Sequence, residues 1–255
     1  MIWQPVSACG PQCRPGGDEA VHGVVTVLRL LTAAAVLIGG LLLAPLLRGA
    51  AIPAIARALL AALGVRLVWR GRVPKPGSLL VANHVSWLDV LALLAVTPVR
   101  LVAKREVGAW PAVGALARRS GAIFVDRTRP KSLPATVGEV TAALRAGRSV
   151  AVFPEGTTFC GAERGRFRPA LFQAAVNAGA PVVPISIRYA SPSASFIGDD
   201  TLWSSVRRVA ALRGLTVTLV GSPGLRPEPG ADRRVLARAA QASAGLRSAT
   251  FDLAA

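Results

Sequence analysis

The sequence predicts an α/β protein in which a mostly parallel or mixed sheet is flanked by helices and preceded by an N-terminal membrane-embedded helical hairpin. Three observations predict it. Short runs rich in Val, Leu and Ile recur over residues 65–220 with helix-length stretches between several of them, the pattern of strands joined by crossover helices. Residues 30–47, LLTAAAVLIGGLLLAPLL, carry no charge over eighteen positions. Hydrophobic residues make up 52% of the 255-residue chain and charged residues 17%, which is apolar for a water-soluble protein and points to membrane contact. The chain divides into a flexible Pro/Gly-rich leader (1–23), a membrane anchor with an interfacial helix (24–65) and one globular domain (66–255).

Taken in order, the first apolar run extends back to Val24 if Arg29 snorkels toward the headgroups, which brings it to the length of a membrane span. A cleaved secretory signal fits less well, because Asp18 and Glu19 stand where a basic n-region belongs and Arg48 follows directly. The second run, AIPAIARALLAALGV (51–65), is shorter and contains Arg57, so it reads as a monotopic or re-entrant helix. Arg48, Arg57, Arg66, Arg70 and Arg72 follow the first run, while Arg14 and Arg29 precede or lie within it. By the positive-inside bias the globular domain faces the cytoplasm from the cell membrane.

Within the domain, strands are expected at 65–69, 78–82, 100–104, 122–126, 149–153, 182–187 and 216–220, with helices near 87–96, 108–118, 133–146 and 168–178. The tail after Arg226 opens Pro-rich and closes as an Ala-rich helix. In a sheet of this kind ligands gather beyond the carboxyl ends of the strands. Three polar groups stand there: NHVSWLD (83–89), Asp126 with Arg127, and PEGT (154–157).

The net charge is +17, and residues 48–255 hold all of the excess, with 28 basic and 11 acidic groups. Such a surface is drawn to a polyanion or an anionic lipid surface. The sequence has no zinc-finger spacing, RNP-like aromatic strand or basic zipper, and its single Tyr is a poor stacking platform, so nucleic acid is not the expected partner. Three cysteines, Cys9, Cys13 and Cys160, make an odd count that argues against a disulfide framework, and they read as plain thiols. No metal or cofactor is expected.

His84 and Asp89 stand five apart, a spacing that would place them on different faces of one continuous helix. If the helix starts between them, Ser86 and Asp89 form a capping box, and His84, in the preceding turn, folds back toward the carboxylate. The same geometry admits a bland reading, with Asp89 as a cap, Asn83 in an Asx turn and His84 incidental. A His oriented by a carboxylate is a natural general base. Ser86 lacks the G-x-S-x-G elbow of a hydrolase nucleophile, so the hydroxyl that is deprotonated belongs to a substrate.

Four blocks between residues 81 and 187 resemble the glycerolipid acyltransferases, specifically the 1-acyl-sn-glycerol-3-phosphate (lysophosphatidate) acyltransferase family: NHVSWLD, GAIFVDR, FPEGTT and VVPISI. The resemblance implies transfer of a fatty acyl group from acyl-CoA or acyl carrier protein to the sn-2 hydroxyl of a lysophospholipid, forming phosphatidic acid at an anionic membrane surface. It places His84 and Asp89 as the catalytic pair. Arg127, Glu155, Gly156 and Thr157 take acceptor-binding positions, and Lys104 falls at a basic position common in the family. Pro184 matches a structural proline.

In that chemistry His84 takes the hydroxyl proton as the alcohol attacks the thioester, then returns it to the leaving thiolate, and Asp89 orients the imidazole. Arg127 suits a phosphate through its planar fork, against a salt bridge to Asp126 as its plain role. Glu155 either accepts from glycerol hydroxyls or holds Arg127; Thr157 either donates to phosphate or caps. Arg164, Arg166 and Arg168 meet headgroups or donor phosphates, or form a solvated face. The rivals are the same O-acylation of another acceptor such as lyso-ornithine lipid, thioester hydrolysis, and a lipid- or carrier-binding protein without turnover.

Overall fold

The computed structural model describes residues 5–14, 16–43, 51–110 and 113–252. Among them seven strands, β1 (Arg66–Arg70), β2 (Leu79–Ala82), β3 (Arg100–Lys104), β4 (Ile123–Val125), β5 (Val150–Val152), β6 (Val182–Tyr189) and β7 (Thr216–Gly221), form one sheet in the order β1-β7-β6-β2-β5-β3-β4. The five strands from β6 to β4 run parallel, so their carboxyl ends share one edge. β7 is antiparallel to β6 and carries β1 parallel to itself, which makes the sheet mixed.

Side-chain alternation feeds two cores. Leu80 and Ala82 face one side of the sheet, with helices α2 (Ile52–Ala62), α3 (Leu88–Val96) and α7 (Leu202–Ala211). Leu79 and Val81 face the other, with α5 (Leu133–Arg145), α6 (Phe172–Ala178) and α8 (Arg233–Asp252). Each fully buried Val or Leu contributes about 1.5–3 kcal/mol, so burial on both faces outweighs the polar residues at strand ends. α7, absent from the sequence reading, is mostly Ser, Arg and Ala; the Thr201 hydroxyl accepts from Ser204 N–H, and Val209 and Ala210 turn inward. α4 (Val113–Arg119) is shorter than the helix expected at 108–118, because a 3-10 segment, Arg105–Ala109, takes its start; residues 111 and 112 lie outside the described residues.

Helix α1 (Gly23–Leu43) is long and apolar enough to cross a membrane. Val24, Val27, Leu28, Leu31, Ile38 and Leu42 are exposed along it. The end of the predicted run, residues 44–47, and Arg48 lie outside the described residues. α2 lies against α1, where a Cβ at Gly40 would come within 3.2 Å of the Ile55 methyl groups. A second face is buried, where Ala56 and Leu60 join the core with α3, while Ala54, Arg57, Ala58 and Ala61 stay exposed. The second apolar run is therefore a core helix as well as the partner of α1.

Arg29 does not snorkel. Its guanidinium donates to the carbonyl oxygens of Ala210 (3.0 Å) and Leu212 (2.8 Å), at the C-terminal end of α7, where unpaired carbonyls and the helix dipole favour a cation. The leader, expected to be flexible, is laid along the domain. Ala20 bridges Leu212, Arg14 pairs with Asp200 at 3.0 Å, and Ser191 donates to Asp18. Replacing Arg29 with Leu leaves α1 more apolar yet removes the donor from two carbonyls. The expected outcome is a loss of about 1–3 kcal/mol, measured by denaturant unfolding in detergent; a neutral or stabilised variant would mean that Arg29 serves the lipid interface instead.

Candidate active site

The first block follows β2 directly. Asn83 continues the strand by side-chain mimicry: its amide donates to Ile187 C=O (2.9 Å) and accepts from Ile187 N–H (2.7 Å), so it bonds across to β6 and makes no Asx turn. The chain then turns through residues 84–87 into α3. Asp89, fully buried in the first turn of α3, gathers four donors. Its Oδ2 accepts from Val85 N–H (2.6 Å) and Ser86 N–H (2.9 Å) and lies 2.8 Å from His84 Nδ1, and its Oδ1 accepts from the Tyr189 hydroxyl (2.5 Å). Because the carboxylate already accepts from backbone donors, Nδ1 is the donor to it, and Nε2 is the nitrogen left to accept a proton.

Half of the expected capping box forms. Asp89 reaches back to Ser86 N–H, but Ser86 Oγ makes no cap; it is buried beside the Tyr189 hydroxyl without a hydrogen-bonding partner of good geometry. The remaining backbone groups of the turn are also fixed. His84 N–H donates to Glu155 Oε2 (2.6 Å), His84 C=O accepts from Phe159 N–H (2.8 Å), and Val85 C=O accepts from Phe196 N–H (2.9 Å). The His84 ring stacks on Phe153, with centroids 4.0 Å apart and planes 13° apart.

The third block supplies the clamp behind that turn. Glu155 is 3% exposed, and its second oxygen accepts from Gly165 N–H at 2.9 Å, so both oxygens are engaged by backbone. Burial pushes its pKa up to about 7, against the lowering effect of the two N–H bonds, and the Asp89 charge adds to the rise. Gly156 adopts a positive φ, and its carbonyl accepts from the Arg127 guanidinium. Arg127 thus turns away from Asp126, whose carboxylate accepts from Thr128 and pairs with Arg105 at 3.1 Å.

Arg127 is half-buried; burial, then the nearby Arg168, lower its pKa. Lys104 is exposed at the end of β3, and partial loss of water together with Arg127 lowers its pKa too. Glu106 opposes both shifts, so Lys104, Arg127 and Arg168 form a cationic cluster with one acidic neighbour. Thr157 is part-exposed in the same loop. Residues 164–168 form a strap: Arg168 N–H donates to Pro154 C=O, and Gln241 of α8 bonds both Phe167 N–H and Gly165 C=O. Pro184 pairs with Val81 inside the sheet, and its carbonyl accepts from Ser222 N–H.

The structure therefore gathers His84, Asp89 and Glu155 into one hydrogen-bonded unit and places Arg127, Gly156 and Lys104 beside it. Tyr189 escaped the sequence reading, and so did the stacking of Phe153, the first residue of FPEGTT, on His84. Tyr189 is the sole tyrosine, at the end of a β6 that runs two residues past the expected strand, and that extension was the signal available. Withdrawal from water and the Asp89 carboxylate raise its phenol pKa, although the ring is part-exposed.

A buried carboxylate behind an imidazole, at the carboxyl edge of the sheet, is the arrangement of a general-base catalyst that takes a proton from a substrate. A family model described as Acyltransferase matches residues 65–188. The chain is 36% identical to the 1-acyl-sn-glycerol-3-phosphate acyltransferase of Neisseria gonorrhoeae over 68% of this chain and 71% of that one. It is 38% identical to the lyso-ornithine lipid O-acyltransferase of Pseudomonas aeruginosa over 77% of each. The fold matches the crystal structure of the 1-acyl-sn-glycerophosphate acyltransferase PlsC from Thermotoga maritima with a TM-score of 0.70, covering 89% of this chain and 95% of that one at 20% identity. The chain belongs to the PlsC-like acyltransferase family, related to the 1-acyl-sn-glycerol-3-phosphate acyltransferases, and transfers an acyl group to a lysolipid acceptor.

Glu155 ties this site to pH. Its folded pKa lies above its unfolded value near 4.5, so the folded state binds the extra proton between the two. The stability this gives is full below about pH 4.5 and is lost as pH rises through about 7. Thermal unfolding of the wild type beside Glu155→Gln should show a pH-dependent difference of about 3 kcal/mol between pH about 4.5 and about 8. Parallel curves would show that Glu155 ionises normally.

Proposed function

We propose that His84 takes the proton from a lysolipid hydroxyl through Nε2 as that oxygen attacks an acyl thioester, acyl-CoA or acyl carrier protein. The proton then passes to the departing thiolate, and no acyl-enzyme forms. Asp89 holds the ring and stabilises the imidazolium. The observation that carries this reading is the 2.8 Å contact between His84 Nδ1 and a fully buried Asp89 that keeps three further donors. Glu155 acts through the backbone of His84. The acceptor's anionic group lies toward Arg127, with Lys104 and Arg168 adding positive potential and Thr157 within the same loop.

For the acceptor, lyso-ornithine lipid is the reading we favour. The relative named for it matches at 38% over 77% of both chains, and ornithine offers a carboxylate to Arg127. Lysophosphatidate is the second reading, supported by the three-cation patch, which suits a phosphate, and by the 36% identical relative. The catalytic domain faces the cytoplasm, because Arg57, Arg66, Arg70 and Arg72 follow α1.

Purified protein in vesicles, given both donors and a panel of lysolipids, is expected to acylate lyso-ornithine lipid in preference, and His84→Ala to be silent with every acceptor. Turnover with lysophosphatidate alone would move the acceptor to the second reading. Release of free fatty acid without any acceptor would mean hydrolysis. Tyr189→Phe removes one donor from Asp89 and is expected to lower kcat about tenfold, or about 1.4 kcal/mol, with KM little changed; an altered KM at unchanged kcat would place Tyr189 against the substrate instead.

A further inference from the structure

We propose that Cys9, Cys13 and Cys160 bind a thiophilic d10 cation of the zinc class, which fastens the leader to the loop that follows β5. Cys9 precedes a single 3-10 turn, Pro11–Cys13, that Cys13 ends, while Cys160 lies five residues after Glu155. The fold brings all three Sγ atoms within 4.8 Å of one another. A tetrahedral zinc with bonds of about 2.3 Å separates its sulfurs by about 3.8 Å, so small side-chain adjustments suffice.

The surroundings suit thiolates. Cys160 N–H donates to Cys9 Sγ and Glu163 N–H donates to Cys160 Sγ, each at 3.3 Å, the kind of backbone bond that steadies sulfur ligands around a metal. Cys9 and Cys160 are buried against Ile197 and Phe159, whereas Cys13 is partly exposed and gives the cation an entry and a fourth, water-filled position. No imidazole or carboxylate joins the cluster among the described residues, which selects a soft cation over magnesium or calcium. A disulfide would engage two of the three sulfurs and leave the third; a metal engages all of them.

The position gives the site a consequence. Pro5, four residues before Cys9, stands so close to Gly156 that a Cβ there would lie 2.6 Å from its ring. Gly156 is the residue whose carbonyl holds Arg127. The cation thus fixes the leader against the acceptor side of the site, independently of which lysolipid is used.

The test uses the full chain in detergent, reduced and stripped of metal, titrated with Zn2+ against a chromophoric chelator and with Co2+ by absorption. The expected result is one equivalent per chain, thiolate-to-cobalt charge-transfer absorption, and at least tenfold slower subtilisin nicking of the leader once Zn2+ is bound. Cys13→Ser, which alters a partly exposed position and leaves the core intact, should weaken Zn2+ binding at least tenfold and abolish the protection. Binding that survives Cys160→Ser, absence of binding by the reduced chain, or a disulfide that forms in preference to the metal complex would each overturn the proposal.

Discussion

The site rests on one buried carboxylate. Removing an aspartate from water costs several kcal/mol unless donors replace the lost hydration, and Asp89 recovers it from four directions. Those donors come from the turn after β2, from the His84 ring and from the end of β6. Asp89 itself belongs to α3. Satisfying the carboxylate therefore fixes where a strand end, a helix start and a neighbouring strand meet, and the imidazole orientation follows from that constraint.

Glu155 does for the opposite side of the turn what Asp89 does beneath it. It bridges His84 N–H and Gly165 N–H, so the loop after β5 and the strap tied to α8 both bear on the backbone of His84. The two carboxylates differ in surroundings: Asp89 accepts from four donors and Glu155 from two. Burial raises the Glu155 pKa to about 7. Ionised, Glu155 accepts both N–H groups at the expense of a buried charge; protonated, it sheds that charge and still accepts one N–H through its carbonyl oxygen.

Much of this was legible in the sequence because it is local. Short apolar runs marked each of the seven strands to within two residues, and HVSWLD held both partners of the imidazole–carboxylate contact. What was not legible depends on distant contacts. Ser86 looked like a cap, but the fold directs its hydroxyl toward Tyr189 and leaves the cap to backbone groups. Arg29 looked like an interfacial cation until the end of α7 supplied carbonyls for it. Tyr189 lies in no motif, Phe153 opens the FPEGTT block without a role that its position there announces, and Cys160 is 147 and 151 positions from Cys13 and Cys9, a separation that periodicity cannot bridge.

The membrane helix bears on the chemistry through packing. α1 lies against α2, and α2 buries Ala56 and Leu60 in the same core as Leu88 and Leu93 of α3, the helix that presents Asp89. No flexible linker intervenes between that core and the carboxylate, and Arg29 adds a second attachment, from α1 to the end of α7. An acyl chain costs about 0.8 kcal/mol per CH₂ to draw into water. A lysolipid is therefore best met without leaving the bilayer, which requires a fixed height of the imidazole above the apolar helix. Side-chain packing from α1 through α2 to α3 links the apolar helix to the imidazole rigidly, as a tether of disordered residues could not.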